Sequence, residues 1–162
     1  MRQGELLALY ETRVAAGWVD YNGHMNDAAF AVVFSRSVDA LMDRIGLDAA
    51  VRKKMGRSLF TMQTMLHYFR EAREGDALAV SCHLLEHDDK RMRVWLDMTD
   101  AKGERLAASE QLLLSVAMNE GAPCVAPWGF ETLSALDALQ KLHASMPHPP
   151  EAGAGVAMSR RA

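Results

Sequence analysis

From Asp27 onward, the apolar residues Phe30, Phe34, Val38, Leu41, Met42 and Ile45 recur every three or four positions. That spacing lines one face of a helix. The predicted helix runs from Asp27 to Ile45, with Gly46 as its stop and Asn26 or Asp27 available to cap its start. At the usual rise per residue it would be roughly 30 Å long. Downstream the period shifts to two. Met92, Val94, Leu96 and Met98 alternate with Arg93, Trp95, Asp97 and Thr99, and the segments Leu59 to Phe69, Ala77 to Leu85 and Arg105 to Met118 also read as strands. The run Leu112 to Leu114 implies burial on both faces of the last of these. His87-Asp88-Asp89-Lys90 and Asp100-Ala101-Lys102-Gly103 carry the polar chemistry of hairpin turns.

Ahead of the helix, Leu6 to Val19 is predicted as a first strand on the strength of Thr12, Val14 and Trp18. Asp48 to Arg57 reads as a charged connector, and Phe130 to Leu139 as a short helix. The expected fold class is therefore α+β: one strand, a long helix, then four antiparallel strands. A sheet with a single apolar helix must lay that helix against one face. Residues 1–146 are expected to form one domain, and 147–162, rich in Pro, Gly and Ala, a flexible tail.

The chain has 162 residues, enough to bury a core without disulfides or metals. Its net charge of −3 argues against a nucleic-acid partner, which would call for a basic face. Cys82 and Cys124 lack metal-ligand spacing and are expected to be free, buried thiols, so no metal is expected. The uncharged run Ala28 to Phe34 is far too short to span a membrane, and Met1 to Glu5 lacks the apolar core of a signal peptide. Cytoplasmic location is the expectation, with no membrane partner.

The candidate chemistry sits in Asp20-Tyr21-Asn22-Gly23-His24-Met25-Asn26-Asp27, which places acids, amides and an imidazole on a short loop running into the helix. A carboxylate beside a helix N-terminus is a candidate reaction centre, because unpaired N–H groups there offer positive potential to a developing oxyanion. Gly23 is suited to a backbone conformation or close approach that a side chain would block. Asn22 is suited to turn geometry and Asn26 to the N-cap. A purely structural role for Asp20, as a turn or cap carboxylate, is the competing reading.

This Asp-x-x-Gly-His-x-Asn loop ahead of an aromatic-rich helix resembles the hotdog-fold acyl-CoA thioesterases of the 4-hydroxybenzoyl-CoA thioesterase-like group. His67-Tyr68-Phe69-Arg70-Glu71-Ala72-Arg73-Glu74-Gly75-Asp76 resembles a second signature of these enzymes. Trp18 to Asn26, Leu85 to Arg91 and Ala108 to Gln111 are similar to the betainyl-CoA thioesterases of carnitine breakdown. The resemblance covers roughly Leu9 to Met118. It implies a five-stranded antiparallel sheet wrapped around one long central helix, and a homodimer or tetramer with its sites between subunits. No cofactor is implied beyond the coenzyme A carried by the substrate.

Under this resemblance Asp20 either attacks the thioester directly or acts as base on water, with His24 and Asn22 beside it. Backbone N–H groups near Asp27 to Phe30 would bind the oxyanion, and the partner's Thr61 to Tyr68 strand would complete the site. A quaternary ammonium acyl group would call for aromatic faces. Trp18 and Tyr21 are the better candidates there, since Phe30 and Phe34 fit the buried stripe. Gly23, Asn26, Tyr68 and Arg70 complete the expected substrate-binding set, with Arg70 a candidate for coenzyme A phosphates. Two alternatives stay open: a hotdog hydratase or dehydratase using a His–acid pair, and a non-catalytic acyl-CoA-binding module.

Overall fold

The computed structural model describes residues 4–119, 121–156 and 158. The long helix forms as the pattern requires: α1 spans Asp27–Arg44. Asn26 caps it, its side chain accepting from the Ala28 N–H at 2.9 Å, and Asp27 and Arg44 sit at the ends where the helix dipole favours them. The Ile45 N–H closes the last turn on the Leu41 and Met42 carbonyls, and Gly46 turns the chain away with φ +79°. Ala29, Phe30, Val33, Phe34, Ser37, Val38, Leu41 and Met42 form its buried face. The Ser37 hydroxyl is satisfied within the helix by the Val33 carbonyl at 2.9 Å.

Six strands make one antiparallel sheet: β1 (Leu7–Arg13), β2 (Arg57–Tyr68), β3 (Ala77–His87), β4 (Arg91–Thr99), β5 (Arg105–Asn119) and β6 (Ala122–Val125). The order is β1-β3-β4-β5-β2, with β6 pairing the far end of β5. Met92, Val94, Leu96 and Met98 join the helix stripe in the main core, as their alternation predicts. Fully burying a side chain such as Leu41, Leu84 or Leu96 contributes about 1.5–3 kcal/mol. Trp95 points to the other face, where Leu85, Ala108 and Ala152 cover it.

Several expectations need correction. The first strand ends at Arg13, because Ala15-Ala16-Gly17 lacks the branched or aromatic bulk that favours strands. A 3₁₀ turn over Ala16–Trp18 follows. The connector from Asp48 to Arg57 contains a helix, α2 (Ala49–Met55), capped by the Asp48 carboxylate on the Ala50 and Val51 amides and ended by Gly56 at φ +59°. The sheet has six strands rather than five. Cys82 is buried and Cys124 is exposed, both as free thiols.

After α3 (Phe130–His143), part of the stretch expected to form a tail touches the outer sheet face. Glu151 pairs with Arg105 at 3.2 Å, and the Gly153 N–H donates to Glu110 at 2.7 Å.

Candidate active site

The loop ahead of α1 is a small hairpin closed by backbone bonds. The Asp20 N–H donates to the His24 carbonyl at 2.8 Å and the Gly23 N–H to the Asp20 carbonyl at 3.0 Å. Gly23 has φ +80°, and a Cβ there would meet nothing within 4 Å. Its requirement is therefore conformational rather than steric. Outside the hairpin, the Asn26 N–H donates to the Trp18 carbonyl at 2.8 Å and the Met25 N–H to the Ala72 carbonyl at 2.7 Å. Those two bonds tie the loop both to the end of the 3₁₀ turn and to the segment leading from β2 to β3.

Asp20 lies inside this frame. Its Oδ1 accepts from the Asn22 N–H at 2.8 Å and the His24 N–H at 3.2 Å. The His24 amide is the main cause that holds the Asp20 carboxyl below the usual carboxylate range. Asp20 is thus an anion at neutral pH, with one oxygen anchored. His24 turns its Nε2 toward Glu71 Oε2 at 3.1 Å. Asn22 and His24 are therefore both brought to Asp20, while Glu71 enters as a group that sequence reasoning did not single out. The signal was present: Glu71 follows Arg70 directly in the second motif.

The helix start is more selective than expected. The Ala28 N–H is taken by the side chains of Asn26 and Asp27 at 2.9 and 2.8 Å, and the Ala29 N–H by the Asn26 carbonyl at 2.9 Å. The Asp27 N–H has no hydrogen-bond partner among the described residues. Tyr68, on β2, reaches this corner: its hydroxyl donates to the Asp27 carbonyl at 3.3 Å and its ring meets Phe30 edge-on at 5.5 Å.

The other expected binding residues lie further out. The Arg36 guanidinium sits over the Trp18 ring, 5.5 Å from its centroid, so one ring face already holds a cation. Tyr21 is 97% exposed at the loop tip. Arg70 pairs with Glu104 at 3.2 Å, beside the turn joining β4 and β5. Among the described residues no cluster of His, Cys, Asp and Glu is arranged to hold a metal.

Between α1 and β2 lies a groove of about 360 Å³ lined by Phe34, Val38, Met42, Thr61, Thr64 and Gln111. β2 is the sheet edge here, and Phe60 and Met62 are exposed on it.

Residues 14–151 match the Thioesterase-like superfamily. The chain belongs to that superfamily. It is 41% identical to the betainyl-CoA thioesterase of Pseudomonas aeruginosa, over 92% of this chain and 93% of that protein. It is 36% identical to the L-carnitine dehydrogenase/betainyl-CoA thioesterase of Rhizobium meliloti, over 95% of this chain but only 31% of that longer protein. A solved structure of a putative thioesterase from Pseudomonas putida superposes with a TM-score of 0.81 at 36% identity, covering 96% of this chain and 99% of the other. The fold is thus the hotdog fold of the thioesterases, and the chain is a thioester hydrolase. Membership favours hydrolysis over the hydratase and binding-module alternatives. No described helix is long and apolar enough to cross a membrane.

Proposed function

We propose that this chain is an acyl-CoA thioesterase that hydrolyses betainyl-CoA, with Asp20 as its reactive carboxylate. The observation that carries the reading is the Asp20 carboxylate, fixed through Oδ1 by two loop amides beside the start of α1. That leaves Oδ2 for chemistry. Either Oδ2 attacks the thioester carbonyl carbon, or it takes a proton from a water that does so. In both routes the carbon–sulfur bond breaks and the thiolate leaves without needing a strong acid; in the first, a water then cleaves the acyl-aspartyl anhydride, releasing the acid and restoring the Asp20 carboxylate. The carbonyl oxygen gains charge, and the open Asp27 N–H at the positive end of α1 is the donor suited to hold it. Asn22 and Gly23 keep the loop closed, and Asn26 fixes the helix start. Each step is thereby assigned to groups of the chain, and coenzyme A enters only as part of the substrate.

Two observations favour a cationic acyl group. Identity to the Pseudomonas aeruginosa betainyl-CoA thioesterase extends over nearly the whole of both chains. The site is also rich in carboxylates: Asp20, Asp27 and Glu71 border the loop, and the half-exposed Tyr68 ring stands beside Asp27. A desolvated quaternary ammonium is attracted to such a combination of acid and ring face. Trp18 and Tyr21 flank the same loop, and Arg70 stays a candidate for coenzyme A phosphates.

The unpaired edge of β2, its exposed Phe60 and Met62, and the groove beside it support a homodimer or tetramer in which the partner's β2 completes the site. Cytoplasmic residence fits an acyl-CoA substrate. We propose residues 1–146 as the catalytic domain and 147–162 as an appendage to it.

The test compares thiol release from betainyl-CoA, acetyl-CoA and tert-butylacetyl-CoA, the last a neutral isostere of the first. Betainyl-CoA should give the highest kcat/KM, by tenfold or more over the isostere. Equal rates on the isostere would contradict the cationic substrate, and no thiol release from any of them would contradict the thioesterase reading.

A further inference from the structure

We infer that Glu71 is a positioning residue for His24, fixing which imidazole nitrogen carries the proton and which one faces the chemistry. This rests on the reading that Asp20 and His24 form the reaction centre. The contact is His24 Nε2 to Glu71 Oε2 at 3.1 Å. An ionised carboxylate only accepts, so Nε2 carries a proton, and in the neutral imidazole Nδ1 then keeps its lone pair. Carboxylates orient imidazoles in this way wherever a histidine must present one defined nitrogen.

The contact is built rather than incidental. His24 and Glu71 lie far apart in sequence, yet the next residue of each pair is locked: the Met25 N–H donates to the Ala72 carbonyl at 2.7 Å, and both residues are buried. The Glu71 side of the clamp is held in turn. The Gly75 N–H donates to the Val14 carbonyl at 2.9 Å, Arg13 donates to the Gly75 carbonyl at 2.9 Å, and Asp76 accepts from the Arg73 N–H at 2.8 Å. On the other side, the left-handed backbone at Gly23 and the His24 N–H bond to Asp20 set where the imidazole starts. Two anchored backbones thus deliver the two side chains to each other.

Stability does not account for the pair. The Glu71 side chain is 73% exposed, and exposed ion pairs contribute little to folding. What the arrangement does accomplish is chemical. A water attacking the thioester must surrender one proton to Asp20 Oδ2 and hold the other; His24 Nδ1 accepts a hydrogen bond from that second O–H. In the other tautomer an N–H would face the water where an acceptor is needed, and with the ring flipped a C–H would.

The test uses full-length Glu71→Ala and Glu71→Gln. The Gln carbonyl oxygen can still accept from Nε2–H but carries no charge. We expect Glu71→Ala to lower kcat about tenfold with KM within twofold, and Glu71→Gln to recover most of the loss. Nitrogen-15 spectra of histidine-labelled protein, taken above about pH 8 where an ordinary imidazole is neutral, should show His24 protonated on Nε2 in wild type and Glu71→Gln, and a tautomer mixture in Glu71→Ala. Wild-type kcat in both variants, or equal losses in both with an unchanged tautomer, would overturn the inference. If Asp20→Asn and His24→Gln also kept full activity, the reading of the site would fall with it; if they lost activity while the Glu71 variants did not, this inference alone would fail.

Discussion

The N–H of Met25 donates to the carbonyl of Ala72 at 2.7 Å, and this one bond fastens the loop carrying Asp20 to the segment between β2 and β3. Both residues are nearly inaccessible, Met25 at 5% and Ala72 at 1%. The loop therefore has fixed ends. Its polar side chains project from a frame set by main-chain bonds, which is the condition for holding a reactive carboxylate in one orientation.

Within that frame Gly23 takes the left-handed backbone. At φ +80° an L side chain is disfavoured by roughly 1–2 kcal/mol, although a Cβ would clash with nothing. Gly23→Ala is expected to lower the melting temperature by only a few degrees while reducing kcat at least tenfold, because the loop relaxes and moves Asp20. Gly23→Asn should be milder in both respects, since Asn tolerates the left-handed region. Melting curves and steady-state rates check this. Unchanged kcat in Gly23→Ala would show that the loop tolerates displacement.

A second expectation concerns pH. His83 on β3 is 4% exposed, its ring against those of His143 and His148. Burial, with the two neighbouring imidazoles adding to it, pushes its pKa down from 6.5 to about 4, against a smaller opposing pull from Asp97. His143 is shifted down too, chiefly by burial. A depressed histidine binds its proton more readily in the unfolded chain, so stability is complete above pH 6.5 and falls as pH drops toward 4. The loss should reach about 1–3 kcal/mol over that window. Urea unfolding at pH 7 and pH 5 measures it, and His83→Gln should flatten the dependence. An equally steep dependence in His83→Gln would place the titrating groups elsewhere.

The exposed edge of β2 carries the expectation for assembly. Light scattering on the purified protein should give a multiple of the 17.9 kDa chain mass. Replacing Phe60 and Met62 together by Lys should yield monomers, since charges on an edge strand block pairing. Those monomers should lose most of their activity, because half of each site would be missing. Fully active monomers would contradict a site shared between subunits.

Much of this architecture was legible because long elements repeat their signal. α1 offers five turns of apolar spacing and clear end residues, so its predicted bounds, Asp27 to Ile45, differ from those observed by one residue. β4 is legible through the alternation from Met92 to Met98. α2 has seven residues, too few for a period to declare itself among its charges. β6 is four residues long and contains Pro123, which reads as a strand breaker. At the site, the loop motif brought Asp20, Asn22, Gly23, His24 and Asn26 into view together. The contact of His24 with Glu71 depends on the bond between Met25 and Ala72, and that of Tyr68 with Asp27 on where the end of β2 meets the start of α1, neither of which local sequence encodes. The competition for helix amides was likewise hidden: Asn26 and Asp27 both take the Ala28 N–H, leaving that of Asp27 open.

Asp20 is the group on which hydrolysis depends most directly. Thiol release from betainyl-CoA should be measured for wild type and Asp20→Asn, which keeps the size of the side chain and an oxygen able to accept from the Asn22 and His24 amides. A loss of at least ~100-fold in kcat is expected, with the fold intact by circular dichroism. An Asp20→Asn protein that releases thiol at the wild-type rate would contradict that dependence, and would return Asp20 to the role of a turn residue.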